Sequence, residues 1–144
     1  MRRYKILLVD DAKPAQEAFK VIFADFHCDV VVAASGEEAL EECSLIHFDL
    51  IVMDLSLPRH NGFEVTNRIR SESLFNRKTP VVALSVHSEA QFASQIQKAN
   101  MNGFISKPIT RLEATELMTR LEQGELPVHS LSLEPALMVD KKEV

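Results

Sequence analysis

A doubly wound α/β domain built on a five-stranded parallel sheet is the fold this sequence predicts, and three observations carry the prediction. Short apolar runs alternate with helix-periodic segments five times along the chain. The runs are continuously apolar, the pattern of strands buried on both faces of a parallel sheet. The connections are short, as strand–helix repeats folded back over one sheet require. A length of 144 residues suits one domain whose core needs no staple.

The elements follow in order. Ile6 to Val9 is the first run, and Pro14 stands where a first helical turn accepts proline. Ala15, Ala18, Phe19, Ile22, Phe23 and Phe26 then recur at helical spacing and predict an inward stripe. Asp29 to Ala34 is the second run. Ser35-Gly-Glu-Glu38 matches a capping box, after which Ala39, Leu40 and Cys43 share one side of a second helix. Leu50 to Met53 is the third run, and Asn61 is placed to cap a third helix that buries Val65 and Ile69. Pro80 to Leu84 is the fourth. Ser88 is placed to cap a fourth helix with Phe92, Ile96 and Ala99 inward, and Gly103 to stop it. Phe104-Ile105 is a short fifth run, followed by a helix with Ala114, Leu117, Met118 and Leu121 as its stripe. From about Gln123 the pattern fades, interrupted by Pro127 and Pro135. The domain is therefore assigned to residues 1–123 and a tail or linker to residues 124–144. Leu131, Leu133, Leu137, Met138 and Val139 make that tail more apolar than a typical flexible linker.

Composition excludes several functions. Hydrophobic residues make up 46% and charged residues 26%, an ordinary soluble mixture. Sixteen basic against twenty-one acidic residues leave a net charge of −5, which argues against direct nucleic-acid or anionic-membrane binding. Cys28 and Cys43 form no C-x-x-C and are read as reduced thiols of a cytosolic protein. No apolar stretch approaches the ~20 residues of a membrane span, and the run at Ile6 is too short for a signal-peptide core, so a cytoplasmic location is expected. His27, His47, His60 and His129 show no metal-ligand spacing and are assigned to the surface or helix ends.

In an open parallel sheet, ligands bind outside the carboxyl ends of the strands. The first strand ends in Asp10-Asp11, the third in Asp54 and the fourth in Ser85, while Lys107-Pro108 follows the fifth. Each residue alone is as readily a solvated loop position or a helix cap. Together, at the ends of strands, they place three carboxylates, a hydroxyl and an ammonium on one rim. Carboxylates crowded in this way repel, so protons or a cation must neutralise them. Hard oxygen ligands with room for water suit Mg²⁺. With a cation and Lys107 offsetting the charge of a phosphoryl group, one carboxylate is free to attack phosphorus and form an acyl phosphate.

Over roughly residues 4 to 122 the sequence resembles the receiver domain of two-component response regulators, of the chemotaxis-regulator type. The resemblance rests on Leu8-Val-Asp-Asp11, Ala34-Ser-Gly-Glu-Glu-Ala-Leu40, Asp49-Leu-Ile-Val-Met-Asp54, Leu57-Pro58, Gly62, Pro80-Val-Val-Ala-Leu-Ser85 and Gly103-Phe-Ile-Ser-Lys-Pro108. It implies a flavodoxin-like fold with strand order 2-1-3-4-5 and Asp54 as phosphoacceptor. Asp11 and Asp54 would hold Mg²⁺ through carboxylates and Ser56 through its carbonyl, with Asp10 acting through a bound water. Lys107 would pair with the phosphoryl oxygens, and Ser85 would hydrogen-bond the phosphoryl group as a switch. Phe104 matches the aromatic that swings inward as switching completes, and Pro108 would follow Lys107 in a cis peptide. Ser56 and His87 occupy variable positions beside the site that tune loss of the phosphoryl group. Val86 departs from the family pattern, which places a very small residue there, and is expected to narrow access to Asp54. The donor would be a phosphohistidine on a sensor histidine kinase or a histidine phosphotransfer protein. A downstream protein or a second copy would use the fourth helix, fifth strand and fifth helix. Thr79 to His87 and Ser106 to Ile109 look like receivers attached to hybrid sensor kinases. Such a domain is no enzyme beyond catalysing its own phosphorylation and dephosphorylation.

Three rivals use the same chain differently. A flavin-binding domain would need a Ser/Thr/Gly-rich phosphate loop after the first strand, where Asp10-Asp-Ala-Lys-Pro-Ala15 stands. An aspartyl phosphatase would need a second acid two residues after the nucleophile, where Ser56 stands. A degenerate receiver acting only as a protein-interaction module would not need all five rim positions.

Overall fold

The structure, a computed structural model, describes residues 2–126. Strands β1 (Tyr4–Val9), β2 (Cys28–Ala33), β3 (Leu50–Asp54), β4 (Val81–Ser85) and β5 (Gly103–Ser106) alternate with helices α1 (Lys13–Phe23), α2 (Gly36–Leu45), α3 (Gly62–Glu72), α4 (Glu89–Lys98) and α5 (Arg111–Gln123). All pairings are parallel and the sheet order is β2-β1-β3-β4-β5. This is the expected flavodoxin-like arrangement.

Alternate side chains of each strand point to opposite faces, and both faces are covered. On one side Leu7, Val9, Ile51, Met53, Val81, Ala83 and Phe104 meet Ala39, Cys43, Val65, Ile69 and Ile96 of α2, α3 and α4. On the other, Ile6, Leu8, Leu50, Val52, Val82, Leu84 and Ile105 meet Phe19 and Phe23 of α1 with Ala114, Leu117 and Met118 of α5. Both cysteines are free and buried. Burial pushes the Cys43 thiol up to about 12, so it behaves as a small hydrophobe and not as a nucleophile.

Several expected details resolve differently. Ala18 of the α1 stripe is exposed, and Phe19 and Phe23 form its buried part. Ser35 accepts from the Glu38 N–H at 3.1 Å, but the Glu38 carboxylate reaches back to the Ala34 N–H at 3.5 Å instead of closing the box on Ser35. The reciprocal box sits on α5, between Thr110 and Glu113. Ser88 precedes α4 without a side-chain cap bond. Gly103 does not stop α4. Asn100 does, by taking a left-handed φ of 55°, and Gly103 opens β5 beside Val82. Asparagine is among the few side chains that tolerate that region.

The connection between α3 and β4 is pinned from inside. Asn76, fully buried, donates through Nδ2 to the carbonyls of Cys43 (2.9 Å) and Ile46 (2.8 Å). Its Oδ1 accepts from the Phe48 N–H at 2.8 Å and the Thr79 hydroxyl at 2.9 Å. One side chain thus ties the end of α2, the start of β3 and the start of β4 together.

Leu126 lies in the segment assigned to the tail, yet it is fully buried with Tyr4, Phe23 and Cys28. Gly124, at a φ of 72°, turns the chain back to place it there. The rest of the tail, residues 127–144, lies outside the described residues. Truncation after Gly124 is therefore expected to be about 1.5–3 kcal/mol less stable to urea than truncation after Leu126, the value of one buried leucine. Equal stability of the two truncations would show that Leu126 contributes nothing.

Candidate functional site

The parallel register brings the strand ends level. Val9 pairs with both Ala33 and Met53, Asp54 with Leu84, and Ser85 with Ser106, so Asp10, Asp11, Asp54, Ser85 and Lys107 meet at one rim. Asp10, Asp54 and Ser85 are buried, while Asp11 is exposed and Lys107 half-buried. The carboxylate oxygens of Asp10, Asp11 and Asp54 come within 4.8 Å of one another.

Backbone donors hold these carboxylates in place. Asp10 Oδ1 accepts from the Ala12 N–H and Asp54 Oδ1 from the Ser56 N–H, each at 2.9 Å. The remaining oxygen of each turns toward Lys107, whose Nζ lies 3.1 Å from Asp10 Oδ2 and 3.0 Å from Asp54 Oδ2. Burial pushes the Lys107 ammonium down, but its hydrogen bonds and attraction to Asp54 and Asp10 outweigh that, and its pKa lies above the ordinary 10.5. It is a fixed positive charge at neutral pH. The ammonium and three carboxylates still leave a negative cluster of oxygens, and a hard cation suits such a donor set.

Gln16, absent from the sequence reading, donates to the Asp10 carbonyl at 2.7 Å and fixes the turn from β1 into α1. A lone glutamine in a helical first turn carries no signal in sequence. Gly62 is also closely constrained: a Cβ there would lie 2.5 Å from the Asp54 carbonyl oxygen and 2.9 Å from Met53 Cγ. The helix after the acceptor can approach it so closely only without a side chain. Within the intervening loop Arg59 takes a φ of 69°, and Arg59 and His60 face Glu37 of α2 at 3.8 and 3.7 Å. His60 also meets Glu64 at 3.2 Å, a surface pairing as expected of it.

The Ser85 hydroxyl accepts from the His87 N–H at 2.9 Å, leaving its own proton to donate. Val86 between them is 71% exposed and packs into neither cluster. The His87 ring lies edge-on to Phe92 of α4 at 6.1 Å. Phe104 is fully buried, in the inward position. The Lys107–Pro108 peptide bond is cis, as the resemblance implied. Ser56 is exposed at the mouth of the site.

A buried aspartate at the third strand end, flanked by an acidic pair and a lysine on a doubly wound sheet, defines a class of signalling domain. The sequence model of the response regulator receiver domain matches residues 6–122, and the chain belongs to that family, the receiver domains of two-component systems. It is 32% identical over 121 residues to hybrid signal transduction histidine kinase E of Dictyostelium discoideum, covering 82% of this chain and 7% of that protein. It is 30% identical over 117 residues to transcriptional regulatory protein DltR of Streptococcus agalactiae, covering 81% of this chain and 50% of that protein. The chain thus spans half or less of these relatives. Among solved structures, chemotaxis protein CheY4 of Vibrio cholerae superposes with a TM-score of 0.77 at 25% identity, covering 83% of this chain and 99% of that one. The receiver domain of sensor histidine kinase PA1611 of Pseudomonas aeruginosa, with a magnesium ion coordinated in its active-site cleft, gives 0.75 at 27% identity, covering 83% and 98%. No helix among the described residues is long and apolar enough to cross a membrane.

Proposed function

We propose that this domain accepts a phosphoryl group from a phosphohistidine onto Asp54, with Mg²⁺ held by Asp11, Asp54 and the Ser56 carbonyl and by Asp10 through a bound water, and changes conformation as a result. The observation that carries the reading is the setting of Asp54. Its carboxylate is buried, oriented by one backbone N–H and one ammonium, and flanked by acidic oxygens within 4.8 Å. The magnesium in the PA1611 receiver supports the same use of the acidic site here.

Bound Mg²⁺ would supply positive charge to the carboxylates and to the oxygens of the transferring group. Asp54 contributes the nucleophilic oxygen. An O–P bond forms as the N–P bond to the donor imidazole breaks, and the imidazole nitrogen keeps the bonding pair. Lys107, already beside Asp54, donates a hydrogen bond to a phosphoryl oxygen. Ser85 donates its hydroxyl proton to another, drawing the segment after β4 inward and pulling on the His87 contact with α4. Phe104 is already buried, so the aromatic holds the inward position before that movement. The partners of this reading are a sensor histidine kinase or a histidine phosphotransfer protein. A downstream protein or a second copy would read α4, β5 and α5. The domain catalyses only its own phosphorylation and dephosphorylation, and the reading places it in the cytoplasm.

Incubation with a small acyl phosphate and Mg²⁺ tests the proposal. One hydroxylamine-labile phosphoryl group per chain is expected, and chelation of Mg²⁺ should remove most of it. A label that resists hydroxylamine, or is indifferent to chelation, would overturn the assignment.

Val86 offers a test of access. It is β-branched, stiff at its first torsion, and adjacent to the hydroxyl that must move. Val86→Ala is expected to speed phosphorylation from small donors about five-fold, as removal of a ~1 kcal/mol barrier would. Because Val86 is 71% exposed, stability should change by less than about 0.5 kcal/mol. An equal or slower rate, measured at matched Mg²⁺, would mean the side chain does not stand in the donor's path.

A further inference from the structure

The edge of the sheet opposite the acidic site carries an exposed patch that nothing in the phosphoacceptor reading uses. Each helix returns across the parallel sheet, so the ends of α2 and α3 lie there, beside the starts of β3 and β4. Leu45 is 67% exposed at the end of α2, and Leu74 and Phe75 are 83% and 50% exposed just after α3. Ser73 Oγ and Asn76 Nδ2 both donate to the Cys43 carbonyl, and Asn76 Nδ2 also donates to the Ile46 carbonyl. These bonds brace residues 43–46 against residues 73–76, so the three apolar side chains stand on one fixed surface.

The two flanks of that surface carry opposite charge. Glu41 lies one helical turn before Leu45 on the same face of α2, with Glu42 beside it. Arg77 and Lys78 follow Phe75 on the other side. Arg70 donates to the carbonyls of Arg77 (3.1 Å), Thr79 (2.7 Å) and Asn100 (2.9 Å), which sets both bases toward the end of α4 and away from α2. Glu41, Arg77 and Lys78 are exposed and Glu42 is half-buried, and none of the four has an ion pair among the described residues. The other charges nearby are engaged, Glu72 with Arg68 and Asp49 with Arg2. From one flank to the other the surface therefore runs acidic, apolar, basic.

Such a surface is its own complement. A two-fold axis lying in the plane of contact, midway between the flanks, lays the acidic flank of one copy on the basic flank of the other while the apolar centres meet. We propose that two copies of this chain associate through the Leu45–Leu74–Phe75 surface, with Glu41 and Glu42 of one copy facing Arg77 and Lys78 of the other. An apolar centre of three side chains belongs with small, transient interfaces, so the association is weak and reversible. Charge pairing at its edges fixes the orientation. The contact lies at the far end of the sheet from Asp54 and apart from α4, β5 and α5, so it leaves the acidic site of both copies open and does not depend on phosphorylation.

Sedimentation equilibrium of the full chain, carried up to millimolar concentration, tests this. A reversible monomer–dimer equilibrium is expected, and it should weaken as salt is added. Leu74→Ser with Phe75→Ser should raise the dissociation constant about tenfold. Glu41→Lys with Glu42→Lys makes both flanks basic, and Arg77→Glu with Lys78→Glu makes both acidic. Each of these variants alone should lose the dimer, and an equimolar mixture of the two should recover it as a heterodimer. A photoreactive phenylalanine analogue at position 75 should join two chains, with cross-links to residues 41–45 or 73–78 of the second copy. Four results would each overturn the proposal. They are a chain that stays monomeric over the whole range, a dimer unchanged in the serine variant, a mixture that stays monomeric, and cross-links that fall within one chain or on α4 and α5.

Discussion

Asp54→Asn is expected to take no phosphoryl label at all. The amide oxygen can still accept from the Ser56 N–H at the 2.9 Å position that Asp54 Oδ1 occupies, so the loop should keep its shape. What is lost is the anionic nucleophile and the partner of Lys107 Nζ at 3.0 Å. An amide nitrogen turned to that ammonium presents donors to a donor, which weakens the contact but also removes repulsion between Asp10 and Asp54. The two effects oppose, and the variant should fold with stability close to that of the parent. Affinity for Mg²⁺ should fall, since two carboxylates remain of the three that converge within 4.8 Å. Labelling from a small phosphodonor, with Mg²⁺ titration followed separately, reads both effects. Undiminished labelling of the variant would sink the assignment of Asp54.

Asn76→Ala is expected to produce a large loss of stability at a position away from that site. The side chain satisfies the buried Phe48 N–H and the half-buried Ile46 carbonyl and shares the Cys43 carbonyl with Ser73. Removing it leaves the buried Phe48 N–H and the half-buried Ile46 carbonyl unpaired, each costing about 1–3 kcal/mol, together with a small cavity. A total near 4 kcal/mol is a large share of the 5–15 kcal/mol typical of a domain. Asn76→Asp is the informative companion, because it keeps the acceptor and the shape but loses both donors. If the donors matter as the geometry implies, it should be nearly as damaging as alanine. Urea unfolding of both variants, at constant slope, checks this; a loss under about 1 kcal/mol for either would mean water replaces the missing bonds.

The alternation of apolar runs and helical stripes was enough to determine the five-fold strand–helix order, because burial on both faces of a sheet keeps the middle of each strand apolar and leaves polar residues such as Lys5, Asp29 and Asp54 to the strand ends. Leu7 and Leu8 face opposite clusters and both are apolar for that reason. The acidic rim was legible as well. Strand ends of a parallel sheet must coincide in space, so Asp10, Asp54, Ser85 and Lys107 were brought together by topology alone. The helix boundaries were less legible, because several residues can end a helix. Gly103 and Asn100 are both able to do so, and only the pairing of Gly103 with Val82 decided between them.

What the tertiary structure alone decided are contacts whose partners are distant in sequence and chemically unremarkable by themselves. Gln16 under Asp10, Asn76 between three elements, and Leu126 folded back into the cluster under α1 and α5 are ordinary residues until the chain closes around them. Periodicity reports which face of an element is apolar. It does not report which polar side chain will meet an orphaned carbonyl across the fold, since that depends on loop paths fixed only when the layers pack.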